Sequence, residues 1–109
     1  MTATPAWSAD DVSHGTTCTV LLHGELDLAA ADELRRLLDD HLDTAGTTTV
    51  IADLSQVSFL DSGALGALVA VRNHAEDIGR HFALQSPTAT VRRVLDTGGV
   101  YDLMVTPNE

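Results

Sequence analysis

The amino-acid sequence predicts an α/β domain, one mixed sheet of four to five strands with helices packed on it. Three observations lead there. Hydrophobic spacing switches along the chain between a period of two and a period near 3.6. Two strand-like segments come first, and helix-like and strand-like segments alternate after them, the order expected of a sheet covered by helices. The third is size, since 109 residues suffice for one hydrophobic core and are too few for two.

Taken in order, "AWSADDV" supplies a first edge strand and His14-Gly15 a turn. In "TTCTVLLHG", Cys18, Val20 and Leu22 alternate with Thr19, Leu21 and His23, a mostly buried strand that Gly24 ends. From Leu28 the period changes. Ala30 or Ala31, Leu34, Leu37, Leu38 and Leu42 recur at helical spacing, Asp32 and Glu33 occupy the first turn where the helix dipole favours acids, and Gly46 closes the segment. "TTTVIADL" is rich in β-branched residues and nearly continuously apolar, as in a central strand covered on both faces. A turn at Ser55-Gln56 and the apolar "VSFL" lead to Asp61.

After Ser62, the residues Ala64, Leu68, Val71, Ala75 and Ile78 form a helical stripe with Leu65 and Val69 beside it, and Gly79 marks the stop. "HFALQ" reads as another strand. Ser86 and Pro87 read as cap and first residue of a third helix that carries Val91, Val94 and Leu95 inward before Gly98-Gly99. "VYDLMV" reads as a last short strand. Val50, Ile51, Leu65, Leu68 and Val91 are expected in the core. No repeat, low-complexity tract or linker divides the sequence, so residues 1–109 read as a single domain, its core at about 12–106, with loose residues at each end.

Composition narrows the function classes. Sixteen Asp and Glu against six Lys and Arg leave a formal charge of -10, which repels nucleic-acid phosphates and anionic lipid over a Debye length of roughly 8 Å. No stretch approaches the roughly 20 apolar residues of a membrane span. The start "MTATPAWSADD" lacks the charge and apolar pattern of a signal peptide, and Cys18 is the single cysteine, so a cytoplasmic protein is expected. Histidines at 14, 23, 41, 74 and 81 form no short-spaced ligand pair with Cys, Asp or Glu. No metal, cofactor or catalytic residue is expected.

Chemistry concentrates at Asp61-Ser62-Gly63, where an apolar strand hands over to the second helix. These residues read as a helix cap with glycines for packing. They read also as a seat for an anion or a phosphate, because unpaired N–H groups and the positive dipole end meet at Ser62 while Gly63 and Gly66 leave room for a partner. No arginine is close in sequence to pair with such a phosphate.

"HGELDLAAADELRRLL", "VIADLSQVSFLDSGALGALV" and "LQSPTATVRRVLDTGG", in that order, resemble the anti-sigma-factor antagonists of the STAS domain family. The resemblance implies a module that, unphosphorylated, binds an anti-sigma factor with a histidine-kinase-like ATPase fold and thereby releases a sigma factor. That anti-sigma factor is the serine kinase, and a phosphatase restores the module. By position the phosphorylated serine is Ser62. Asp61 and Asp27 are the acids expected beside it, and Gly63, Leu65 and Gly66 complete the expected partner-binding residues. Two departures stand out: Gly63 and Ala64 replace the family's common second Ser or Thr and following Gly, and "VTPNE" stands where the family usually adds one more helix, leaving an apolar patch exposed or covered by a partner. Two other readings remain. One is a STAS subunit of a larger complex, such as beside a transporter, without phosphorylation. The other is a small serine hydrolase, opposed by the absence of Gly two positions before Ser62.

Overall fold

Strand β1 (Trp7–His14) turns back through Gly15 and pairs antiparallel with β2 (Thr17–Leu26). The computed structural model describes residues 6–106, so the expectation of loose ends falls largely outside the described residues. From β2 the chain crosses through α1 (Ala31–Asp43) to β3 (Thr49–Leu60), parallel to β2, and then through α2 (Ser62–Asp77) to β4 (His81–Gln85), parallel to β3. Helix α3 (Ala89–Thr97) and the single turn α4 (Tyr101–Met104) follow. The sheet order is β1-β2-β3-β4, a mixed four-stranded sheet as the alternating periods predict.

Burial shows how the layers are built. Val20, Leu22 and Leu26 of β2, Val50, Ala52 and Leu54 of β3, and Leu84 of β4 are completely enclosed, together with Leu34, Leu38 and Leu42 of α1, Leu68 and Val71 of α2, and Val91 and Leu95 of α3. One sheet face therefore carries the core. The expectation that β3 is covered on both faces is wrong: Ile51 and Asp53, between the buried residues, are only half-buried. Ile51 and Leu65 thus leave the expected core, while Val50, Leu68 and Val91 stay in it. Ile78, at the end of the α2 stripe, is exposed because the helix has already reached its C-cap there.

Four local readings change. Gly24 does not end β2. At φ +94° it lies beside a register shift, and the Ala6 carbonyl occupies the space a Cβ would need. Ser55-Gln56 is no turn, because β3 runs on and absorbs extra residues at shifts opposite Leu21/His23 and Gly24/Glu25; exposed polar side chains on a bulged strand mimic a turn in sequence. Thr88, not Ser86, caps α3, its hydroxyl accepting from the Val91 N–H at 3.3 Å. "VYDLMV" forms the α4 turn, which buries Met104, and then a single bridge from Val105 to Leu84. Gly99, at φ +72°, lies between α3 and that turn, where the Gly99 N–H donates to the Asp96 carbonyl at 3.0 Å and the Val100 N–H to the Leu95 carbonyl at 3.0 Å.

Helices α1 and α2 lie side by side and are clasped at one end. His74 Nε2 meets Asp43 Oδ1 at 2.7 Å, and the Arg80 guanidinium donates to the carbonyls of Leu42 and Thr44. Among the described residues no helix is long and apolar enough to cross a membrane.

Candidate functional site

Parallel pairing of β2 with β3 sets Leu26 opposite Leu60, so both strands deliver their next residue, Asp27 and Asp61, to the same edge. Each acid is engaged by backbone. Asp27 Oδ1 accepts from the Ala30 N–H at 3.1 Å and starts the 3-10 turn Leu28–Ala30. Asp61 holds two segments at once: Oδ1 accepts from the Ala64 N–H at 3.0 Å, the cap of α2, and Oδ2 accepts from the Leu28 N–H at 2.9 Å. A third bond runs from the Asp61 N–H to the Leu26 carbonyl at 3.1 Å. The start of α2 is thereby fixed to the end of β2.

Ser62 is the first residue of α2 and is exposed. It stands at the rim of a shallow groove of about 320 Å³ between α2 and α3, floored by Leu65, Val94 and Gly98 and bordered by Arg93 and Thr97. The α2–α3 approach is close, since a side chain on Gly98 would meet Leu65 Cδ2 at 2.7 Å. A larger cavity of about 500 Å³, lined by Ser86, Arg92 and Tyr101 among others, contains none of the partner-binding residues expected from sequence.

The two glycines of the first turn differ in kind. A Cβ on Gly63 would lie 2.7 Å from Leu28 Cδ1 and 3.0 Å from Leu28 Cα, so Gly63 is small to let the β2–α1 connection pass. It does not leave room for a partner. Gly66 meets nothing within 4 Å and is exposed, so the open surface lies there. Leu28, 72% exposed, is an apolar knob next to that turn.

Arginine placement was not legible in the sequence. Arg92 lies over the Tyr101 ring at 4.5 Å and faces Asp96, while its neighbour Arg93 turns to the groove at Ser62. Arg93, 31 positions away in sequence, thus lines the same groove as Ser62. The signal available was the stripe of α3, in which Val94 marks the side facing α2.

Comparisons with known proteins agree with this architecture. The family model for the STAS domain matches residues 8–109. An anti-sigma F factor antagonist of Lysinibacillus sphaericus is 28% identical over 93 residues, which are 85% of this chain and 80% of that protein. The structure of the anti-sigma factor antagonist SpoIIAA in its unphosphorylated form superposes with a TM-score of 0.76 at 26% identity, covering 95% of this chain and 90% of SpoIIAA. The phosphorylated form of SpoIIAA, the Bacillus cell fate determinant, superposes with a TM-score of 0.69 at 25% identity, covering 95% and 93%. The sheet order, the helices on one face and the family match across residues 8–109 together establish that this chain belongs to the STAS domain family.

Proposed function

We propose that the chain is an anti-sigma factor antagonist whose partner surface is the start of α2 and the α2–α3 groove, switched by phosphorylation of Ser62. The observation that carries the reading is the placement of Ser62, an exposed hydroxyl on a rigidly capped helix start at the rim of an apolar groove. The relatives' names supply the partner class, an anti-sigma factor, and the resemblance supplies its kinase activity and the phosphatase that resets the module.

Unphosphorylated, the surface offers Leu28, Leu65 and Val94 as apolar contacts, open space at Gly66, and the Arg93 cation. Transfer of the γ-phosphoryl of ATP to Ser62 Oγ, with loss of the hydroxyl proton, adds about 1.5 to 2 negative charges there. A partner closing on that surface must then desolvate the phosphate beside Asp61. Folding is spared, because the cap bonds belong to Asp61 and Ser62 points outward. A binding loss of about 3 kcal/mol is more than a hundredfold in affinity, enough to release a partner at cellular concentrations.

The test uses a kinase-type anti-sigma factor with ATP, the full chain, and mass spectrometry. Phosphate on Ser62, tight binding by Ser62→Ala and weak binding by a Ser62→Asp variant that melts near the wild-type temperature are expected. Phosphate on another residue, or equal binding by the two variants, refutes the switch.

A further inference from the structure

At the opposite end of the sheet three ligand-type side chains from three elements converge. Cys18, the second residue of β2, is buried, and its Sγ lies 3.5 Å from Nδ1 of His41 in the last turns of α1. Asp11 of β1 pairs with Val20, two residues from Cys18 on the same face, and its carboxylate is exposed. One ligand atom from each of Asp11, Cys18 and His41 lies within 4.8 Å of the others. The histidines and the cysteine show no ligand spacing in sequence. Only the packing of α1 over the β1–β2 hairpin assembles this trio.

The donor set and its spacing suit one ion. Zinc takes thiolate at about 2.3 Å and imidazole nitrogen at about 2.0–2.1 Å in a tetrahedron, which sets sulfur and nitrogen about 3.6 Å apart. The Cys18–His41 pair already stands at 3.5 Å. The carboxylate of Asp11, on the exposed edge strand, lies within 4.8 Å of both and supplies the third ligand. Thiolate and carboxylate supply the two negative charges that balance the ion, in a chain whose net charge of -10 draws cations.

We propose that Asp11, Cys18 and His41 bind a zinc ion that ties the edge strand β1 to α1. Binding exchanges the Cys18 thiol proton, released to solvent, for a sulfur–zinc bond, with neutral His41 donating through Nδ1. The site is separate from the Ser62 surface: nine residues of extended chain from Cys18 to Asp27 place it about 30 Å away. It requires nothing of the proposed partner switching.

Cobalt(II) is the probe, added to the reduced, metal-free full chain. A thiolate-to-cobalt charge-transfer band and tetrahedral visible bands should appear at one equivalent and be displaced by zinc, and zinc should raise the melting temperature. Cys18→Ser should abolish the charge-transfer band. Asp11→Asn, on the exposed edge, leaves the core untouched and keeps the test valid where Cys18→Ser fails to fold. It and His41→Gln should each weaken zinc by about tenfold or more, the smallest loss expected for removing a ligand when a supporting residue already costs that much. No thiolate band at stoichiometric cobalt overturns the proposal, as does an affinity unchanged in either Asp11→Asn or His41→Gln.

Discussion

Replacing Asp61 by alanine separates its work in the fold from any work in recognition. Its carboxylate accepts from the Ala64 N–H at 3.0 Å and from the Leu28 N–H at 2.9 Å, so the substitution removes a helix cap and a staple between segments 33 residues apart. Loss of an Asp cap costs about 0.5–2 kcal/mol. The Leu28 bond is exposed, and water can satisfy the freed donor, so it adds about 0.5–1 kcal/mol. The sum is about 1–3 kcal/mol, or a fall in melting temperature of roughly 4–15 °C for a domain of this size. Asparagine discriminates between the two bonds, because its carbonyl oxygen can keep the Ala64 bond while its amide cannot accept from Leu28. Asp61→Asn should therefore lose only the smaller part. Urea unfolding at constant slope provides the assay, and phosphorylation and partner affinity should then be compared using the asparagine variant. An alanine variant as stable as the wild type, or an asparagine variant as unstable as the alanine one, would show that the double bond does not hold the start of α2.

Gly63→Ala should destabilise, since the new Cβ falls 3.0 Å from Leu28 Cα, whereas Gly66→Ala meets open space and should stabilise α2 by up to about 1 kcal/mol while weakening partner affinity. Denaturant melts and binding titrations on the pair check this; equal stability of the two variants contradicts the packing assigned to Gly63. The clasp between α1 and α2 makes stability depend on pH. The hydrogen bond to Asp43, opposed by burial and aided by the charges of Asp39, Asp43 and Asp77, raises the pKa of His74 above its ordinary 6.5. Its contribution is thus complete below pH 6.5 and is lost as pH rises through the higher folded value. Both side chains are partly exposed, so the effect is at most about 1 kcal/mol. Comparing wild type with His74→Gln between pH 5.5 and 9 should show the stability gap closing upward, and a gap that widens instead refutes the clasp.

Local chemistry was enough to locate α2 and the serine at its start. Ala64, Leu68, Val71 and Ala75 repeat at helical spacing, and Asp61 carries a side chain suited to accepting N–H bonds within three residues, so both features rest on relations between residues three or four positions apart. The same holds for the strand alternation of Cys18, Val20 and Leu22 and for the stop at Gly79. Short-range preference misleads where polar residues occupy a strand, as at Ser55-Gln56, and where six residues fit either period, as in "VYDLMV". There the sheet neighbour and the core, not the segment, select the conformation. The glycine of the Asp-Ser-Gly stretch also needed the fold, because Leu28 presses on Gly63 from 35 positions earlier and leaves Gly66 as the open one.

Sequence by itself determined the alternating α/β order, the buried stripes and a serine at a capped helix start, because those depend on interactions between residues a few positions apart. Tertiary structure alone decided that one sheet face is covered, that Arg93 and Ser62 line one groove, and that Asp11, Cys18 and His41 meet. Each of these depends on which helix crosses which strand, a choice made by packing the whole core at once and carried by no single spacing in the chain.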